Sequence, residues 1–198
     1  MKKLYLTMAI VAPVLLTGCI PILIGGAATG GVVAVQERTA GNAVDDTSIR
    51  VAIAGKFIQQ DAGDIFKNVA VHVTEGRVLL TGDVDKPDSK VEAVRLAWTV
   101  GGVKEVMNEI QVDDKTGILD YAKDSWTANQ VRTKLLLEKD LRSVNYNVEV
   151  VNGVVYLMGI AQDQAELGKA TYLAGTTSNV KQVVSHVILK NDERRSGK

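Results

Sequence analysis

Few side chains in this 198-residue chain could do covalent or metal chemistry: one Cys, Cys19, and two His, His72 and His186. One Cys makes no internal disulfide and no CxxC metal or redox pair. His72 lies between Val71 and Val73, so a strand that turns these valines inward points the ring to the other sheet face. His186, between Ser185 and Val187, has the same setting on a last strand. Both read as ordinary sheet-face residues. No Ser sits in a nucleophile elbow, and the carboxylates are scattered without an evident acid–base pair. No glycine precedes a helix as GxGxxG or GxxxxGK, so nucleotide binding is unsupported. Lys and Arg total 23 and Asp and Glu 23, which argues against a nucleic-acid binder because such proteins need a basic field. The residues point away from an enzyme, and no metal or other cofactor is implied.

The first residues read as an address. Lys2 and Lys3 form a positive start, Leu4 to Leu16 an apolar stretch, and Leu16-Thr17-Gly18 lead to the sole Cys. This tetrapeptide resembles a bacterial lipobox. The resemblance implies a signal peptide over 1–18, cleavage before Cys19, diacylglycerol on its sulfur and an acyl chain on the new terminus. Ile20 in place of Asp after the anchor implies sorting to the outer membrane, facing the periplasm. One acyl chain binds a bilayer only marginally, whereas two or three hold durably. The uncharged run 4–35 is also long enough to span a bilayer. Pro21 and Gly25, Gly26, Gly30 and Gly31 argue instead for a tether over 19–45.

Beyond the tether the chain repeats itself. A shift of 77 lays Val71, Val73, Gly76, Leu80 and Gly82 on Val148, Val150, Gly153, Leu157 and Gly159, and Val103 and Val106 on Val180 and Val183. A shift of 78 lays Ile53 and Phe57 on Val131 and Leu135. In each copy a helix opens the unit, with Ile49, Ile53 and Phe57 on one face behind Asp46 or Thr47 as N-cap, and its counterpart following Asp124-Ser125. A hairpin follows, turning at Glu75-Gly76 and at Asn152-Gly153. Second helices are expected over 88–99 (Val91, Val94, Trp98) and 164–175 (Leu167, Ala170, Leu173, Ala174), with last strands over 103–112 and 180–189. The fold class is α+β: two tandem αββαβ units, 46–114 and 123–192, each with two helices on a three-stranded mixed sheet. Residues 115–122 read as a linker and 193–198 as a polar tail. Units this small bury only about 60% of their unfolded surface, so a shared contact is expected.

The copies differ most in the opening helix of the second. At about 100° per residue, Ala128, Val131 and Leu135 define its core face, and Trp126, Gln130, Thr133 and Leu137 the opposite one. The first copy has Ser48, Ala52, Gly55 and Gln59 there. Arg132 and Lys134 lie nearby, with no acid between Ser125 and Leu137. An apolar, basic stripe suits an anionic phospholipid surface, where Trp keeps its N–H wet and each cation adds about 1 kcal/mol. The candidate lipid-binding residues are therefore Trp126, Gln130, Arg132, Thr133, Lys134 and Leu137. Two further readings use the same residues: Trp126 packs on the first unit or the 113–123 connection, or the stripe docks on another envelope protein. The place of Trp98 fits helix-to-sheet packing.

The pattern Val71-x-Val73-x2-Gly76-x-Val78-x-Leu80-x-Gly82, then Gly102-Val103-x2-Val106, resembles the BON domain. Val148-x-Val150-x2-Gly153-x-Val155-x-Leu157-x-Gly159, then Asn179-Val180-x2-Val183, resembles it again. Asn179 stands for the usual Gly and tolerates a positive φ nearly as well. With the lipobox, the chain resembles a dual-BON outer-membrane lipoprotein. The likeness implies binding of phospholipid of the phosphatidylglycerol type, a role in envelope integrity, recruitment to the division site and no catalysis.

Overall fold

A computed structural model describes residues 40–60, 63–113 and 118–195. The signal segment, Cys19 and most of the tether lie outside the described residues. The first unit runs α1 (Ala40–Gln59), α2 (Gly63–Asn68), β1 (Val69–Thr74), β2 (Arg77–Val84), α3 (Pro87–Trp98) and β3 (Glu105–Val112). The second runs α4 (Ile118–Leu137), a 3-10 turn (Ser143–Asn145), β4 (Tyr146–Val151), β5 (Val154–Ala161), α5 (Gln164–Gly175) and β6 (Gln182–Leu189). Each is the expected αββαβ unit, with one short extra helix in the first.

The two sheets share one register. In both, the central strand pairs antiparallel with the first and parallel with the last, in the orders β1-β2-β3 and β4-β5-β6. Val71 faces Leu80 as Val148 faces Leu157, and Leu79 faces Met107 as Tyr156 faces Val184. The hairpin tips put two successive residues at positive φ, Glu75-Gly76 and Asn152-Gly153, as a type I′ turn requires. Asn179 takes a φ of 68°, against 90° at its counterpart Gly102. Gly82 and Gly159 serve a second purpose. A Cβ there would stand 1.9 Å from the carbonyl oxygen of Asn68 or Asn145, so only glycine lets the entering chain come this close.

Both opening helices start earlier than the sequence suggests. α1 begins at Ala40, inside the stretch read as tether, and α4 at Ile118, inside the stretch read as linker. Asp46 is therefore no N-cap. Buried in mid-helix, its carboxylate accepts the backbone N–H groups of Glu75 and Gly76, both at 2.9 Å. Asp124 does the same for Asn152 and for Gly153 at 3.0 Å. Each aspartate thus closes the two donors of a hairpin tip about 29 residues away. α3 also sits differently from expectation. Ala93, Leu96 and Ala97 face the sheet, while Val91 and Trp98 are exposed, Trp98 by 52%. Alanines four apart let the helix lie close to the strands, which leaves the indole on the rim; Ala170 and Ala174 play that part in α5.

Within each unit the helices cover one sheet face. Ile53, Phe57, Val78, Leu80 and Ile110 fill the first core; Val131, Leu135, Val155, Leu157 and Ala170 fill the second. The other two sheet faces meet. Leu79, Met107, Val151, Tyr156 and Met158 form a third core between the units, joined by Val154 and Val184. Around it run polar ties. Arg77, almost wholly buried, donates from Nε to Glu105 at 2.7 Å and from Nη1 to the His186 carbonyl at 3.1 Å. Gln111 donates to the Val151 carbonyl and to the Tyr156 hydroxyl, and accepts from Asn152 Nδ2. Burial pushes the Tyr156 phenol pKa up. Both histidines lie at this seam: His72 Nε2 is 3.4 Å from Glu149 and His186 Nε2 is 2.9 Å from Glu109. Each pair joins a position to its own counterpart in the other copy, as residues beside a pseudo-twofold axis between the units do. The stretch read as a polar tail also reaches across. Arg195 makes a two-pronged pair with Glu75, both bonds 2.9 Å.

The aspartate ties give the first prediction. Replacing Asp124 with Ala leaves two turn donors without their acceptor and lowers stability by about 2–3 kcal/mol. In a chain this size that is a fall of roughly 5–10 °C in the calorimetric midpoint. Asp46→Ala behaves alike.

Candidate functional site

The site is built on α4, a 20-residue helix about 30 Å long. Asp124, Thr127, Ala128, Val131 and Leu135 are buried, which fixes its rotation against the sheet. The opposite side then has to be outward. Trp126 is 65% exposed and Leu137 75%, about three helical turns apart on one line. Thr133 lies exposed between them, its hydroxyl donating to the Asn129 carbonyl at 2.8 Å; Gln130 is half-buried. At 65% exposure the indole is not sealed inside the described part of the molecule.

The two cations stand on the flanks of this line. Arg132 is turned towards the edge of the second sheet, where Nη2 donates to the Val148 carbonyl and lies 3.7 Å from Glu149. Lys134 lies on the other side, donating to the Thr176 carbonyl at 3.0 Å beyond the end of α5. That carbonyl belongs to the negative end of a helix dipole, which favours a cation there. Exposed Lys123 joins the same flank. The outermost strip of the helix, Ala122, Ser125, Trp126, Asn129, Thr133, Leu136 and Leu137, carries no charge.

Leu136, 69% exposed, and Tyr121 were not among the residues singled out by sequence. The signal was present in Leu135-Leu136-Leu137. Three successive leucines span 200° of a helix, and a one-sided core can take only one of them. In the first unit the equivalents Ser48 and Ala52 border an open hollow of about 450 Å³ with Ile49, Gly101, Gly102 and Lys104. Among the described residues no three His, Cys, Asp or Glu are grouped to hold a metal, and no helix is long and apolar enough to cross a membrane.

The sequence matches the BON domain over residues 45–114 and again over 123–191. The chain belongs to the BON domain family. Its two BON domains are the two units described above. A relative of full length is the outer membrane lipoprotein DolP of Haemophilus influenzae, 35% identical over 187 residues, 93% of this chain and 94% of that one. The "uncharacterized protein in gshII 5′ region" of Anaplasma centrale is 43% identical over 153 residues, 77% of this chain and 99% of that one. Among solved structures, CdsD, a structural protein of the type III secretion system of Chlamydia trachomatis, aligns with a TM-score of 0.32 at 15% identity, over 73% of this chain and 93% of that one. The chain is thus a dual-BON protein of the DolP type.

The geometry separates the two kinds of residue on α4. Arg132 holds an edge strand, so Arg132→Ala costs about 1 kcal/mol in urea unfolding. Trp126→Ala and Leu137→Ala, which remove exposed atoms, change stability by no more than about 0.5 kcal/mol.

Proposed function

We propose that the second BON domain contacts anionic phospholipid through the outward strip of α4, and that the protein is a lipid-anchored, non-enzymatic component of the outer membrane. The observation that carries this is the exposure of Trp126, Leu136 and Leu137 along one uncharged strip, with Lys123, Lys134 and Arg132 on its borders. Apolar side chains enter the headgroup layer, and the bordering ammonium and guanidinium groups meet phosphates at its surface. Arg132 and Lys134 already bond to carbonyls, so they contribute chiefly through charge. The contact is weak and reversible. An acylated Cys19 makes that sufficient, because a tether converts it into an intramolecular event at high effective concentration.

The outer membrane is the assignment supported by the DolP relative, whose length this chain nearly matches. A role in envelope integrity follows from the same likeness. The other reading, docking on an envelope protein, draws on the same strip; the cations on both of its borders favour lipid.

Vesicle binding tests the proposal. The chain lacking residues 1–19 sediments with phosphatidylglycerol vesicles and not with phosphatidylcholine vesicles, and added salt weakens the binding. Trp126→Ala and Leu137→Ala each reduce it about tenfold, or about 1.4 kcal/mol. Equal binding by wild type and both variants removes α4 from the account. Cys19→Ser moves the full chain from the membrane to the soluble fraction and abolishes palmitate labelling.

A further inference from the structure

α1 of the first domain has an unpartnered face of its own, beside the positions that match Trp126 and Leu137. Val44, Val51 and Ile58 recur every seven residues and are 66%, 63% and 58% exposed. Ser48 and Gly55 fall between them on the same face, and a Cβ at Gly55 would meet nothing within 4 Å. The result is an uncharged stripe about 21 Å long, with three aliphatic side chains and small residues between. Its chemistry differs from that of α4. It has no aromatic ring, and the nearest flank opens with an exposed acid, Asp45, which an anionic bilayer repels. Small residues alternating with aliphatic ones at this spacing suit the close approach of another helix.

We infer that this stripe pairs antiparallel with the same stripe of a second copy of the chain. Two features of α1 are self-complementary about one point. Val44 and Ile58 are equidistant from Val51, so a two-fold axis there sets each valine against the partner's isoleucine and Val51 against itself. Asp45 and Lys56, both exposed, lie on one flank with their midpoint within half a residue of Val51. In an antiparallel pair equal flanks face each other, which brings each Asp45 beside the partner copy's Lys56. A parallel pair sets unlike flanks against each other, so Asp45 then has no Lys56 of the partner copy opposite it. Arg50, the remaining cation of α1 near the axis, lies on the other flank from Asp45 and Lys56, lining the hollow beside His72 and Asn147 and the one beside Val51, Val69 and Val71. The interface is isologous and therefore closes as a dimer. Three aliphatic residues per copy make it weak in dilute solution, so its occupancy rests on the anchoring proposed above, which confines copies to one bilayer.

Disulfide mapping in membranes of cells making the full chain reads the geometry directly. Under copper–phenanthroline, Val51→Cys gives a covalent dimer. Val44→Cys and Ile58→Cys each give none alone but cross-link when co-produced. Asp45→Lys lowers the Val51→Cys dimer yield at least fivefold, and adding Lys56→Asp restores it. These positions are exposed, so folding is preserved. No dimer from Val51→Cys, or equal dimers from all three single variants, overturns the proposal. So does loss of the dimer on adding Trp126→Ala, which would place the contact on α4. Persistence of the dimer in that variant, with vesicle binding lost, supports the pairing and keeps it distinct from the lipid contact.

Discussion

The central strands β2 and β5 are covered on both sides, and the rest of the architecture depends on this. Helices cover one face of each sheet; the other sheet covers the opposite face. A unit of about 70 residues exposes too much of its apolar surface to be comfortably stable alone. Leu79, Tyr156 and Met158 would lie open on an isolated sheet, and each is worth roughly 1.5–3 kcal/mol when buried. Joining the sheets back to back removes that surface for both units at once. The polar ties at the rim then select one arrangement. Arg77 spans from Glu105 to the His186 carbonyl, and Gln111 answers Val151, Tyr156 and Asn152 together. Leaving any of these groups buried and unanswered costs more than the bond itself contributes, so a slipped seam is disfavoured.

This arrangement also decides what the surface can offer. With the sheet faces covered, most of the exposed large apolar side chains lie on the helices. α1 and α4 are equivalent by descent of the repeat, and each must keep three inward positions apolar: Ile49, Ile53 and Phe57 in one, Ala128, Val131 and Leu135 in the other. Their outward positions are under no such constraint, and there the copies have parted. One has become aliphatic and small, the other aromatic with cations on its borders. A duplicated unit held in one frame can therefore present two chemically different faces without any change in the core.

Much of this was legible in the sequence, because repetition tests each reading against a second copy. The hairpins, both glycine bends and the core faces of α1 and α4 follow from period-two and period-four patterns that recur at one offset. The helix starts were not legible. Asp46 and Asp124 look like caps because Asp at the head of an apolar helical pattern usually is one; here each bonds a turn 29 residues on, a relation that exists only after folding. Trp98 misled for a related reason. Its place on the helix fits packing against the sheet, whereas Ala93, Leu96 and Ala97 take the buried face and the indole stays exposed. The seam left a clue that alternation alone conceals. Val154-Val155-Tyr156-Leu157-Met158 is apolar without a break, and a strand with one wet face would not be. The partners of His72 and His186, Glu149 and Glu109, stand at the same offset of 77 that defines the repeat.

The sequence places Trp126 and Leu137 on the outward side of α4, where they lie, but does not show what its flanking cations bond to. A helical wheel places Arg132 and Lys134 near Trp126 but cannot show what else is near. Arg132 finds the open carbonyl of an edge strand, and Lys134 the carbonyl end of α5. Their positive field persists over several ångströms in spite of those bonds, since a carbonyl satisfies a donor without neutralising it. Only the 3.7 Å approach of Glu149 offsets Arg132 in part. In the proposed lipid contact, Lys123 and Lys134 on the opposite border would then carry most of the attraction. That asymmetry follows from the fold: Arg132 faces the sheet edge, where it meets Val148 and Glu149, whereas Lys123 is exposed.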